Sequence, residues 1–235
     1  MKIHHLTLLT ALSLSCNSLM ADHKPDEKST ERLQAAVTTF QEIMAEPDKA
    51  IPQDLLERAH CVVIVPGLKK AGFIVGAKYG KGFMSCRNAA RTGWSNPAAL
   101  RVEGGSIGFQ IGVGETDLVM LIMNSSGADR LMQSQFKIGG TAQAMAGPVG
   151  RTAQAETDAF MRAEILGYSQ SRGLFAGVSL DGSTLRQDMD ENHLLYGNRY
   201  TTTEIVRDGK GSASTQTAAL TKLLSKYSFR EMQKR

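Results

Sequence analysis

Acidic residues are missing from one long stretch of this chain. Between Ala59 and Val102 there is no Asp or Glu, while seven Lys or Arg are present. Aromatic residues are scarce, at 6% with a single Trp, so no stacking platform for nucleic-acid bases accompanies that charge. After the first residues no apolar run approaches the ~20 needed to span a bilayer as a helix. Only three cysteines and five histidines occur, and no His has a second ligand at metal spacing, which leaves no metal site to read. Proline is equally sparse, whereas 20 of the 23 glycines fall between Gly67 and Gly182. That concentration implies turns, bulges and close backbone approach in a curved sheet.

At 235 residues, 42% hydrophobic and 21% charged, the chain suits one folded domain with helical additions. The formal charge of +4 is modest and matters through its clustering. Residues 1–21 have the layout of a secretory signal: Lys2, then apolar Ile3 to Leu14, then Leu19-Met20-Ala21 as a cleavage site. Cys16 leaves a lipoprotein variant open, although the lipobox-like Leu is one place out of register. The mature part, 22–235, is expected to be exported and to lie in the periplasm or against an envelope membrane. It keeps Cys61 and Cys86. An oxidising compartment favours bridging them, but a three-strand meander would put a strand between them, so the pairing stays open.

Leu33, Ala36, Val37, Phe40, Ile43 and Met44 recur at helical spacing, with Ser29 or Thr30 as cap and Pro47 as stop. Pro52 opens a second short helix with Leu55, Leu56 and Ala59 inside. From Cys61 the period shortens: CVVIV, AGFIVGA and GFMSCR read as strands broken at Pro66-Gly67 and Lys78-Tyr79-Gly80. Ile107 to Val113 alternates apolar residues with Gly and Gln, a strand either sharply curved or closely covered. LVMLIM, 118–123, is apolar on both faces and reads as a central strand. Ser126–Ser134 reads as a helix, Ala163–Ser169 and Leu174–Leu180 as strands, and Asp188–Tyr196 as a helix ended by Gly197. After a GKGSAS linker, 216–234 forms an amphipathic helix with Lys222, Lys226, Arg230 and Lys234 on one stripe.

Catalytic motifs fail on inspection. Gly147–Thr152 lacks the first Gly and the Lys of a phosphate loop, and Gly167–Ser171 lacks the last Gly of a nucleophile elbow. Asp188, Asp190 and Asn192 begin a calcium loop, but His193 and Arg199 stand where Gly and Glu are required. Glu164 and Asp181 have no acid–base partner in the sequence. No enzyme and no cofactor is indicated. What remains is a group of cations: Lys69, Lys70, Lys78 and Lys81, placed by this reading in glycine turns along one sheet edge, joined by Arg87 at the end of GFMSCR. Such a group meets phosphate. The C-terminal stripe suits either a docking helix or one lying on a membrane.

The stretches AHCVVIVPGLKKAGFIVGAKYGKGFMSCR, GWSNPAALRVEGGSIGFQIGVGETDLVMLIMN, GGTAQAMAGPVGR and RAEILGYSQSRGLFAGVSLDGSTLRQDMDENHLLYG are similar to the SYLF family, here as an exported, bacterial-type member. Lys69, Lys70, Gly72, Phe73, Gly76, Tyr79, Gly80, Gly82, Trp94, Ser95 and Pro97 carry the resemblance, which spans about 35–224. It implies non-enzymatic binding of anionic phospholipid, with phosphoinositide-like headgroups in the family, and no catalytic residue. Eukaryotic relatives add actin binding and SH3 or FYVE modules; neither module is visible here. The expected fold is α+β: one domain with a curved, glycine-rich, mostly antiparallel sheet or barrel and peripheral helices. The alternative role is a periplasmic adaptor for an acidic protein or polysaccharide. No oligomeric state follows from the sequence.

Overall fold

The computed structural model describes residues 25–45, 50–72, 75–107, 112–139, 144–149, 163–171, 174–175, 180 and 182–228. Helix α1 (Glu27–Ala45) forms where the 3.6-residue spacing demands it and buries Leu33, Ala36, Val37, Phe40 and Ile43. The larger of these, Leu33, Val37, Phe40 and Ile43, contribute roughly 1.5–3 kcal/mol each. Its cap is Asp26, not Ser29 or Thr30: the carboxylate accepts from the Lys28 and Ser29 amides at 3.0 and 3.3 Å. Ser29 itself is buried. Helix α2 (Gln53–Arg58) follows Pro52 as expected and buries Leu55 and Leu56.

Among the described residues nine strands make one curled, largely antiparallel sheet, an open half-barrel in an α+β domain. They are β1 (Cys61–Gly72), β2 (Val75–Cys86), β3 (Ala98–Ile107), β4 (Gly112–Ile122), β5 (Gln135–Lys137), β6 (Ala144–Ala146), β7 (Ile165–Ser171), β8 (Leu174–Phe175) and β9 (Ser183–Gln187). Their order is β5-β9-β3-β2-β1-β4-β7-β6, with β8 on β7. Strands β1 and β4 form its buried centre; every residue from Leu118 to Ile122 is inaccessible, as the doubly apolar run implies.

The expected breaks at Pro66-Gly67 and Lys78-Tyr79-Gly80 are not turns. Pro66-Gly67 is a bulge inside β1, where the register shifts between Val65 and Leu68 against β4. Gly67 adopts φ +59° and donates its N–H to Asp117 Oδ1 at 2.8 Å. A β-carbon there would meet only the movable end of the Glu115 side chain, so it is the left-handed backbone that calls for glycine. Strand β2 runs unbroken through Lys78-Tyr79-Gly80. Three expected strands are therefore two, and Cys61 lies directly opposite Cys86. The two are bonded, which resolves the open pairing. For a separation of 25 residues, chain-entropy arguments give about 3 kcal/mol. Reducing the bridge, or Cys86→Ser, is expected to lower Tm by about 6–12 °C in thermal melts with and without reductant.

The 107–113 run also divides. Ile107 ends β3 beside Val75, and Gly112 begins β4 beside Gly72, so the two strands flank the β1–β2 hairpin rather than pairing. Phe109 and Ile111 lie outside the described residues. The other helices are α3 (Ser125–Leu131), α4 (Met189–Tyr196), α5 (Thr202–Val206) and α6 (Thr215–Tyr227). Helix α4 has Asp188 as N-cap and Gly197 in the left-handed region at its end, as the sequence reads. Helix α6 buries Leu220, Leu223 and Leu224.

Candidate functional site

Strand alternation sorts the basic residues. Opposed residues in an antiparallel pair share a face. Lys70 lies opposite Lys78, and Lys69 opposite Tyr79. Lys81, three positions past Lys78, falls on the Tyr79 face. That face is the one covered by α4, whose cap Asp188 and first-turn Glu191 Lys81 reaches, and by α1, whose Arg32 pairs with the same Glu191. Lys70 and Lys78 point to the other, inner face, which also carries Cys61, Met84, Leu118 and Met120. The five cations singled out in the sequence therefore do not share one platform.

Lys81 belongs to a structural ion cluster. Its ammonium lies 2.9 Å from Asp188 Oδ2 and 3.1 Å from Glu191 Oε2, whose side chains are almost inaccessible. Arg32 of α1 completes the cluster by pairing with Glu191. Burial pushes the Asp188 carboxyl up, but the hydrogen bond from Lys81, the Glu191 amide and nearby charge outweigh it and hold the group below its usual range. Burial likewise opposes charge on Lys81, and the two carboxylates overcome it, leaving its pKa raised. Nothing in the sequence near Lys81 marks this; its partners lie over a hundred residues away.

Arg87 sits at the far end of β2, nine residues beyond Lys78. Its guanidinium stacks 4.5 Å over Trp94 and donates to the carbonyls of Ser228 and Leu56 at 3.1 and 3.4 Å. Trp94 donates its indole N–H to Ser228 Oγ at 2.9 Å. Arg87 and Trp94 thus fasten the end of α6 to the sheet. On α6, Lys222 and Lys226 are exposed, while Arg230 and Lys234 lie outside the described residues. Close by, Arg91 donates to the Arg58 carbonyl at 2.8 Å and to His60 Nε2 at 3.3 Å. Burial and then that guanidinium hold the His60 pKa below its usual value. His60 and the disulfide line a hollow of about 440 Å3 with Asp129 and Arg207.

The residues weighed for catalysis take structural roles. Gly167–Ser171 lies within β7, not at a strand-to-helix turn. Asp190 pairs with Arg199, and Asn192 accepts from the Ala99 amide at 2.7 Å. Glu164 faces Arg130 at 3.2 Å. Asp181 and Gly150–Thr152 lie outside the described residues. Among the described residues no group of three His, Cys, Asp or Glu could hold a metal ion.

What remains for contact with a partner is the end of the sheet that carries Gly72, Val75, Ile107 and Gly112. Tyr79 is 47% exposed and Val113 89%, with Ala71, Ala77 and Lys69 exposed beside them. Lys70 and Lys78 lie on the inner face of the same end. A groove of about 1690 Å3 runs from there along α1, but Glu31, Glu42, Glu115 and Asp117 outnumber Lys28, Arg32 and Lys69 in its lining. An anion has no electrostatic reason to enter that groove. No described helix is long and apolar enough to cross a membrane.

With this geometry in place, similarity to known proteins is informative. The family profile described as "Ysc84: Las17-binding protein actin regulator" matches residues 103–227, more than half of the chain. Protein YSC84 of Saccharomyces cerevisiae is 34% identical over 187 residues, covering 77% of this chain and 39% of the relative. The human SH3 domain-containing YSC84-like protein 1 is 33% identical over 183 residues, covering 77% and 52%. LAS seventeen-binding protein 3 of yeast is 31% identical over 188 residues, covering 79% and 40%. The chain therefore spans between two fifths and about half of these relatives.

Proposed function

Since the chain belongs to the Ysc84 (SYLF) family, we propose that it binds an anionic phospholipid surface, without catalysis, at a membrane of the cell envelope. One observation carries the reading: Lys69, Lys70, Lys78, Tyr79 and Val113 meet within a few rungs of one end of the sheet. Each amino group near an anionic membrane contributes about 1 kcal/mol, so the exposed Lys69 and the half-buried Lys70 at this end give modest, salt-sensitive binding. Val113 and the Tyr79 ring offer shallow apolar contact. Lys81 and Arg87 are removed from the contact set, because Asp188, Glu191, Trp94 and Ser228 already hold them. The signal-like residues 1–21 and the Cys61–Cys86 bond support an oxidising, exported location.

Liposome flotation tests this. Vesicles rich in anionic lipid should retain the protein, and retention should fall steeply as salt rises from about 0.1 to 1 M. Lys69→Glu with Lys70→Glu should weaken binding at least about thirtyfold. Equal retention by zwitterionic vesicles would overturn the proposal. A protein partner is the second reading, favoured by the family's Las17-binding description. Retention of that partner after delipidation would select it.

A further inference from the structure

Strand β4 is paired unevenly. On one side β1 accompanies it over its whole length, from Gly112 to Ile122. On the other, β7 pairs only with Asp117–Ile122, and at Ser171 it folds back against β8. Among the described strands nothing pairs with the second edge of Val113–Glu115. All three residues are exposed. An open strand edge presents main-chain N–H and C=O groups as a template for another chain. A methyl group built at Gly114 would meet nothing within 4 Å, so this main chain can be approached closely.

The groove of about 1690 Å3 runs along this same edge, with Val113, Gly114 and Glu115 on one side and the exposed face of α1 on the other. Glu31, Ala35, Thr38 and Glu42 recur on α1 at helical spacing and make its wall. Glu31 and Glu42 stand about 16 Å apart along the helix, the reach of about five residues of extended chain. Glu115 and Asp117 alternate onto the face that α1 covers, since Glu115 lies opposite Lys69. The charge is one-sided once partners are counted. Arg32 is held by Glu191, which leaves Lys28 and Lys69 against four carboxylates. Among the described residues no ion pair engages Glu31, Glu42, Glu115 or Asp117. Gln170, where β7 stops, also lines the groove, and its amide oxygen has no donor among the described residues.

We propose that this groove takes an extended, lysine- or arginine-rich segment of a partner protein, which adds to the sheet as a strand beside Val113–Glu115. Main-chain hydrogen bonds to the open edge hold such a segment, and its alternate side chains give the selectivity. A helix satisfies its own main chain and would leave the edge unpaired. Basic side chains on alternate residues meet Glu115 and Asp117 on the sheet, with Glu31 and Glu42 across the groove. The same carboxylates argue against a second copy of this chain, because two such edges paired would set acid against acid. The site goes beyond membrane binding and does not depend on it.

The test uses the full chain without lipid and a dye-labelled peptide of about seven residues that alternates lysine with threonine or valine. At about 0.1 M salt, fluorescence anisotropy should show saturable binding. Glu31→Lys with Glu115→Lys should weaken it at least about tenfold. Methylating one of the two alternate sets of peptide nitrogens should do the same, since it blocks pairing and keeps the charge. Saturating peptide should also slow hydrogen exchange within Val113–Glu115. Both substituted side chains are exposed, so the double variant should fold; if it does not, exchange protection in the parent carries the test. No binding, equal binding of a glutamate-for-lysine peptide, indifference to methylation of both sets, or absent protection would each overturn the site. Self-association of the chain that Glu115→Lys abolishes would overturn it too, giving the edge to a second copy. Vesicle flotation separates the two proposals: a parent that binds vesicles but not peptide overturns the groove alone, and the reverse overturns the membrane reading alone.

Discussion

Gly82→Ala is expected to melt about 6–12 °C below the parent protein, a loss of about 3 kcal/mol. A β-carbon at position 82 would lie 2.1 Å from the Ile64 carbonyl oxygen and 2.8 Å from Val65 Cα. Both obstacles are main chain, and both belong to β1 just before its bulge. They cannot rotate away as a side chain would. Relief means shifting β1 against β2 and giving up pairing around Ile64–Phe83, at the centre of the sheet. Two neighbouring substitutions calibrate the argument. Gly80→Ala meets mainly the side chains of Val65 and Leu68, which can adjust, so its cost should be smaller. Gly114→Ala meets nothing and should fall within about 0.5 kcal/mol of the parent. Urea or thermal unfolding of the three variants checks the order; Gly82→Ala as stable as Gly114→Ala would refute it.

The second large effect is expected from Lys81→Met. The apolar stem is retained and only the ammonium is lost, leaving the nearly inaccessible Glu191 with Arg32 and the nearly inaccessible Asp188 with the more distant Arg101 charge. Removing one partner of a buried pair costs roughly 3–5 kcal/mol, and the partial exposure of Lys81 brings this toward about 3. The loss has a defined pH dependence. In the parent, Asp188 has a lowered pKa, so its favourable contribution is present at neutral pH. It disappears as pH falls below the ordinary 3.8 and through the lowered value. Without Lys81, burial acts with less opposition and the carboxyl protonates at higher pH. The stability gap between parent and Lys81→Met should therefore be widest near pH 7 and close in acid. A gap that is constant with pH would mean that the cluster acts through packing alone.

Helical elements of this fold are plain in the sequence because their signals are local. The spacing from Leu33 to Ile43 sits within a few turns, and Asp188 and Gly197 bracket α4 at both ends. The central strand at Leu118–Ile122 is equally legible, since only burial on both faces tolerates so apolar a run. The sheet register is not local. Pro66-Gly67 has the same composition in a turn as in a bulge; what makes it a bulge is Asp117, fifty residues on. That single extra residue decides which face each following lysine takes. Lys69 and Lys70 are adjacent in sequence and part company in space, while Lys78 and Lys81 look alike and have different surroundings. A group of basic residues was legible; its division into two structural cations, Lys81 and Arg87, an outward Lys69 and the inner-facing Lys70 and Lys78 was not.

The position of Trp94 has a practical consequence. It is the chain's one indole, pressed under Arg87 and bonded to the last residue of the described C-terminal segment. Its emission therefore reads out a single event, the seating of α6 against the sheet, with no background from other tryptophans. A red shift on adding vesicles would show that helix lifting as the membrane is met; constant colour would show a rigid body landing whole.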